Sequence, residues 1–281
     1  GIPLDNIASI NQGLASGANK VTRRNINNIQ GNSKLGDGIF VLKKSEVEKL
    51  SLTDDEKKAV KPYYKNSDIK KWTTSSVPNL FVLYLDRESP KHPSIIKHLK
   101  QFKNILSNRR EVENGVIEWW QLQWPRSESI YNTEKIVVPQ RSVTNTFGYN
   151  EIPWYASTDV YFITSKLPEI SLKYVLALLN SKTYYLWLAV RGKRKGETLE
   201  LFQTPLSQVP IPKISLEEQE PFIKRVDEIL ALCKSRNQQK QKGDHSELSR
   251  LENEIDELVF RLFDFTEAEI EYIEKAKSEG Q

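Results

Sequence analysis

The chain has 281 residues, 38% of them hydrophobic and 10% aromatic, with a formal net charge of +4, which is enough apolar material for a full-sized core and excludes intrinsic disorder. A single cysteine, Cys233, and three histidines, His92, His98 and His245, exclude an internal disulfide framework and offer no zinc-ligand spacing. The longest apolar stretch, Leu172 to Val190, is interrupted by Asn180, Ser181 and Lys182 and is too polar to span a bilayer, so a soluble protein of the reduced cytoplasm is expected.

Taken in order, residues 1 to 20 read as a short strand followed by a loop turning through Gly13 and Gly17. Short helices are expected at Ser45 to Lys49 and Thr53 to Val60, the second opened by a capping box of Thr53 and Glu56. NLFVLYLD, from Asn79 to Asp86, suits a buried strand. After Pro93, a good first helical residue, Ile95, Leu99, Phe102 and Leu106 recur at helical spacing and mark one apolar face. The segment WWQLQWPR, from Trp119 to Arg126, precedes two further strands, KIVVPQRSV from Lys135 and TDVYFITS from Thr158. Ser171 then caps a helix expected to run to Ala189. A basic loop, RGKRKGE from Arg191, leads into PLSQVPIPKI, where Pro205, Pro210 and Pro212, with Pro221 further on, forbid a continuous helix and mark a return strand and linker. Phe222, Val226, Ile229 and Cys233, then Leu248, Leu251, Ile255, Leu258 and Leu262, form apolar seams on two helices separated by a polar break from Asn237 to His245. That pattern predicts an antiparallel helical hairpin.

The modest total charge hides a division. Residues 217–281 hold 10 Lys+Arg against 17 Asp+Glu, net −7, and residues 1–216 hold 31 against 20, net +11. A basic body points to a polyanionic partner, although basic surface alone also serves solubility. Lys193, Arg194 and Lys195, between two glycines, are suited to phosphate, as are Arg109 and Arg110, expected to be exposed just after a helix. Trp124 and Arg126 belong to the tryptophan-rich segment, whose rings can stack on bases; the competing reading has Trp119 and Trp124 packing from the faces of a strand. Gln140, Arg141 and Asn145 end a strand with side chains competent at base edges, and Asn19 and Lys20 follow the glycine turn where a backbone could approach closely.

Enzyme signatures fail. There is no [DNS]PP[YFW] element, no glycine-rich loop for a methyl donor or a nucleotide and no GxSxG, and the acids at Asp54, Asp55 and Glu56 are better explained by the capping box than by a nuclease site. In order along the chain, KPYYKNSDIKKW (Lys61 to Trp72), WWQLQWPR, KIVVPQRS, STDVYFITS, ISLKYVLALLNSKTYYLWL and PLSQVPIPKI together resemble the TaqI-like C-terminal specificity domain of type II enzymes that fuse methylation and cleavage. The closing run LENEIDELVFRLFDFTEAEIEYIE resembles the helix that ends many of these proteins and of type I specificity subunits. The hydrophilic, insertion-like region Arg109 to Val116 departs from the resemblance.

The resemblance implies an α+β, mixed-sheet DNA-recognition domain over residues 1–216 followed by the helical hairpin over 217–281. It implies a module that reads a short duplex target and presents an adenine for flipping into a methyltransferase domain outside this chain. S-adenosylmethionine, and Mg2+ if the parent cleaves DNA, would then belong to that parent; no cofactor or metal is expected here. The absence of any methionine, with Gly1 first, leads to the expectation of a segment from within a longer polypeptide. The acidic hairpin is expected to dock against a catalytic domain or partner subunit. The rival readings are a type I-like specificity subunit, an enzyme with an unrecognised site and a protein-interaction scaffold that binds no DNA.

Overall fold

A computed structural model describes residues 1–29, 32–239 and 245–278. Its centre is the strand Lys135–Pro139, whose five residues are all buried. It is the middle of a five-stranded sheet ordered Ala8–Gln12, Val160–Ser165, Lys135–Pro139, Gly148–Asn150, Trp72–Thr73, antiparallel except for the final pair. Because successive side chains leave a strand on opposite faces, the run Ile136, Val137, Val138 feeds two different cores. Ile136 and Val138, with Tyr161 and Ile163, face a helical layer; Val137, with Val160 and Phe162, faces a second sheet.

The helical layer contains Leu172–Asn180, Lys182–Arg191, Leu216–Gln239 and His245–Leu262. The second sheet is ordered Tyr155–Ala156, Val60–Tyr64, Leu80–Leu83, Val41–Lys43. It is backed by Pro93–Lys100 and Lys103–Ser107, where Ile95, Leu99, Phe102 and Leu106 are all buried as their spacing predicts, although the helix breaks around Gln101. The chain is therefore α+β with mixed sheets and a helical C-terminal region. No helix among the described residues is long and apolar enough to cross a membrane.

Several local expectations are corrected. The N-terminal segment is not one strand: Ile2–Pro3 pairs antiparallel with the return strand Pro210–Ile211, and a helical turn, Leu4–Ile7, precedes Ala8–Gln12. The helix from Ser171 stops at Asn180, and Lys182–Arg191 is a second one. Ser181 makes the break, its Oγ accepting from the Tyr184 N–H at 3.4 Å and donating to the Leu178 carbonyl at 2.7 Å. The segment WWQLQWPR is a turn rather than a strand. Gln121 holds it, accepting from the Glu118 N–H and donating to the Asp86 carbonyl, both at 2.9 Å. The basic loop is a β-hairpin, Lys193–Lys195 against Thr198–Glu200, turning through Gly196 at φ +59°.

Pro221 lies inside the helix Leu216–Gln239, where its missing N–H forgoes one bond, and burial of Phe222, Val226 and Ile229 just beyond it offsets that loss. That helix is about 36 Å long, at roughly 1.5 Å per residue, and only residues 240–244 separate it from His245–Leu262, too few to return along a parallel path. The pair is therefore antiparallel, joined across its seam by Arg225 to Glu254. Residues 240–244 of the expected polar break lie outside the described residues. A third helix, Glu267–Ser278, follows, opened by a capping box of Thr266 and Glu269 that the heptad reading passed over. The helical pair is part of the main core: Val226, Ile229, Leu251, Ile255 and Val259 share one apolar cluster with Ile136 and Leu176. Its acids reach the body, Glu252 accepting from Lys71 at 2.7 Å and from the Trp72 indole at 2.6 Å, and Asp227 from Lys173 at 2.6 Å.

The capping box at Thr53 extends beyond its own helix, because the Glu56 carboxylate also accepts from the Ser94 N–H at 2.7 Å and so ties two helices together. Hydrogen bonds from Thr53 and Ser94 hold the Glu56 carboxyl down to about 2. A carboxyl depressed on folding stabilises fully above its ordinary value of 4.5, and that contribution is lost as the pH falls from there towards about 2. Glu56→Gln is expected to lower the urea midpoint at neutral pH and to flatten the midpoint's decline through this acid window; an unchanged decline would refute the assignment.

Candidate nucleic-acid interface

One end of the central sheet collects most of the polar residues singled out in the sequence. Ala8–Gln12 and Lys135–Pro139 both finish there and Val160–Ser165 begins there, since Gln12 pairs with Tyr161 and Pro139 with Val160. Three segments therefore converge: the loop 13–20, Gln140 leading into the strand Arg141–Ser142, and the turn 157–159. Backbone bonds lock them together, with Gly13 N–H donating to Val160, Leu14 N–H to Ala156 and Gln140 N–H to Asp159, at 2.8 to 3.0 Å. Gly13 has to be glycine, because a Cβ there would lie 2.2 Å from the Ser157 carbonyl oxygen.

The first loop also pairs with the tryptophan-rich turn, Ala15 and Trp124 exchanging backbone bonds of 2.8 and 2.9 Å. Trp120 is buried and Trp119 is half-buried, whereas Trp124 stands 43% exposed on this pinned backbone, available for stacking. Nearby Arg126 is exposed and takes a left-handed φ of +64°, its carbonyl accepting from the Tyr84 hydroxyl at 2.6 Å. Asn19 and Lys20 are exposed and line a cleft of about 460 Å³ that also contains Lys43, Lys65, Ser157 and Asp159. Sequence reasoning missed Lys43 and Lys65. They come from two different strand ends and carry no shared pattern beyond the acid three residues on that caps each following turn.

Two expected site residues prove to be internal. Arg109 was placed at the surface as a phosphate contact, but it is 8% exposed, and its guanidinium donates to the carbonyls of Leu106, Ser16, Gln121 and Trp119 at 2.7 to 3.0 Å. It clamps the 13–20 loop to the tryptophan-rich turn, and burial lowers its pKa to about 10. Gly17 clears the way for it: the φ is +81°, and a Cβ would meet Arg109 Cδ at 2.6 Å. Arg110, the next residue, is exposed. Asn145, expected at a base edge, is fully buried and donates to the Leu179 and Ser181 carbonyls at 2.7 and 2.9 Å, satisfying the backbone at the break between two helices. Neither side chain can reach a ligand without dismantling its surroundings.

The remaining residues are joined by a third sheet. Strands Lys193–Lys195, Thr198–Glu200 and Arg141–Ser142 pair antiparallel in that order, so Arg141 stands in one row with Glu200 and Lys193. At a strand spacing of about 4.8 Å, this puts residues 52 positions apart in sequence within roughly 10 Å of backbone. Lys193, Arg194 and Lys195 are all exposed, and only Arg194 has an acidic neighbour among the described ion pairs, Glu197 at 3.7 Å. Gln140, one residue before the sheet, is half-buried, with its backbone bonded to Asp159 and Leu201. The sheet end and the hairpin sheet attached to it thus offer exposed cations, an amide and an indole. Among the described residues, no group of three His, Cys, Asp or Glu is placed to hold a metal ion.

Residues 61–211 match the profile of the TaqI-like C-terminal specificity domain, a span covering most of the second sheet, though not its strand Val41–Lys43, together with the tryptophan-rich turn and the basic hairpin. The type II methyltransferase M.HincII of Haemophilus influenzae is 28% identical over 130 residues, 43% of this chain and 26% of the relative. M.HindII of the same species is also 28% identical over 130 residues, covering 43% of this chain and 25% of its own length. The chain thus spans about a quarter of these curated relatives. Among solved structures, the type IIL restriction-modification enzyme MmeI, determined in complex with DNA, superposes with a TM-score of 0.67 at 13% identity, covering 99% of this chain and 36% of that one.

Arg109→Leu is expected to leave four buried carbonyls without a donor and to cost about 3 kcal/mol or more of stability. Chemical denaturation measures this. A variant as stable as the parent but weaker on DNA would return Arg109 to the surface role.

Proposed function

We propose that this chain, which belongs to the TaqI-like C-terminal specificity domain family, reads a short double-stranded DNA target and presents an adenine within it to a methyltransferase domain. The observation that carries this reading is the convergence of loops and strands at one sheet end. The segments that meet there, and those clamped or paired to them, carry Lys20, Arg110, Arg126, Lys193, Arg194 and Lys195, all exposed, together with Trp124, Gln140 and Arg141. Cations fix position on a phosphate backbone without reading sequence, whereas amide, guanidinium and indole groups address bases. A duplex carries one negative charge per roughly 1.7 Å of axis, so a surface of this sign recruits it from a distance.

In this reading the methyl donor, S-adenosylmethionine, and any Mg2+ used in cleavage are held by the catalytic partner, whether fused or separate, and this chain supplies recognition alone. The partner contacts the helical face. Support comes from an apolar groove of about 550 Å³ between the helices Lys182–Arg191 and Glu267–Ser278, with Trp187, Val190, Phe265 and Tyr272 in its lining. The acidic helices are suited to a protein contact because their charge repels DNA.

Changing Lys193, Arg194 and Lys195 together to Ala is expected to weaken binding to random and target duplexes alike and to reduce the slope of log affinity against log salt by up to about two units, since Lys193 and Lys195 share one face of the hairpin and Arg194 takes the other. Fluorescence anisotropy across a salt series measures both. An unchanged slope removes the hairpin from the interface, and a parent chain with no salt-sensitive duplex binding refutes the reading in favour of a protein-interaction scaffold.

A further inference from the structure

The row of the hairpin sheet that contains Arg141 holds one residue the functional reading has not used. Directly opposed residues of an antiparallel pair share a face. Lys193, Glu200 and Arg141 therefore project to one side with Lys195 and Thr198, while Arg194, Leu199 and Ser142 project to the other. The second side is the inner one, since Leu199 is 1% exposed within the helical core. On the outer side, one Glu200 oxygen, Oε1, accepts from Arg141 Nε at 3.2 Å and from Nη2 at 3.1 Å. The Arg141 guanidinium also lies 5.5 Å from the centre of the Phe202 ring. The Arg141 side chain keeps 48% of its accessibility and that of Glu200 only 16%, so the arginine is presented and the carboxylate stands behind it.

We propose that Glu200 is the positioning residue that makes Arg141 a reader of guanine rather than a phosphate contact; the inference rests on the DNA-recognition reading above. A guanidinium has five N–H donors in one plane. Glu200 occupies the Nε side, and the Phe202 ring flanks the group at 5.5 Å. The Nη1–Nη2 end remains open, and that end forms the two parallel bonds to guanine O6 and N7 in a major groove, which admits a two-stranded ribbon. The same carboxylate balances the arginine's charge. A neutralised pair gains little from a phosphate, whose attraction is chiefly electrostatic, but keeps the geometry on which base discrimination depends. Lys193 and Lys195, unpaired in the described ion-pair set and on the same outer face, supply the phosphate grip beside it. Orientation and charge are thus divided between neighbouring residues of one sheet.

The two roles of Glu200 predict effects of opposite sign. The full chain, its Arg141→Ala, Glu200→Ala and Glu200→Gln variants and the Arg141→Ala with Glu200→Ala double variant are each used to select from a library of random duplexes, and each is titrated with a single random-sequence duplex across a salt series. The parent enriches a motif containing a guanine. Arg141→Ala loses on the order of 10-fold or more of the preference at that position, and the double variant Arg141→Ala with Glu200→Ala, which removes the neutral pair as a whole, leaves the salt slope unchanged. Glu200→Ala loses the same position while binding random duplex more tightly, with a slope steeper by up to about one unit, because Arg141 is freed as an uncompensated cation. Glu200→Gln, which can still accept from Arg141 but carries no charge, keeps the guanine and steepens the slope.

A merely structural Glu200 would weaken random-duplex binding and blur every position of the motif together, and that outcome overturns the proposal. So does a Glu200→Ala variant that retains the guanine, or a double variant whose slope falls by about one unit. A parent chain that enriches no motif refutes the DNA-recognition reading and this inference with it, whereas a parent motif left intact in the Glu200→Ala variant refutes the inference alone.

Discussion

Burial of the central sheet on both faces is the constraint from which the rest of the architecture follows. Lys135–Pro139 has no exposed face, so layers must cover it on each side: helices on one, a second sheet on the other. The strand also contains a charged residue. Lys135 is fully buried and donates its ammonium to the Thr133 and Ile152 carbonyls at 2.9 and 2.8 Å, and burial depresses its pKa to about 8. With both faces sealed, the sheet can meet solvent only at its ends and edges. At one end three segments emerge, and that end, with the hairpin sheet attached to it, carries the exposed cations and the indole.

Arg109 and Arg141 show how environment divides the roles of one residue type. Arg109 is enclosed by four carbonyl acceptors and adds a side-chain clamp between two loops that the Ala15 and Trp124 backbones already pair. Arg141 is held from one edge by a carboxylate and left open at the other. The first arginine fixes the platform on which Trp124 and Lys20 stand, and the second extends that platform towards the hairpin. The first depends on tight backbone crossings, at Gly13 and Gly17, which draw the 13–20 loop against its neighbours.

The helical C-terminal region is acidic as a whole, yet part of that acidity is turned inward to cations of the body. Lys71 and the Trp72 indole meet Glu252, Lys173 meets Asp227, and Lys182 meets Asp256 at 3.5 Å. The body in turn contributes Tyr174, whose ring lies 5.2 Å from that of Phe222. These contacts bind the tail to the face opposite the second sheet, so the charge division of the sequence becomes a division between surfaces of one packed body.

By itself the sequence determined what local spacing and composition can specify. The β-branched run Ile136 to Val138, the helical recurrence of Ile95, Leu99, Phe102 and Leu106, the Thr53 capping box and the seams of the C-terminal helices all rest on neighbours within a few turns of chain, and all were legible. The family was legible too, because its segments recur in order. Tertiary structure alone decided which polar residues are available. Asn145 and Arg109 have the composition of surface residues, and whether each meets solvent or a ring of carbonyls depends on residues 34 and 93 positions away. The row of Arg141, Glu200 and Lys193 likewise exists only through strand pairing across dozens of residues, and no local pattern encodes which strand will lie beside which.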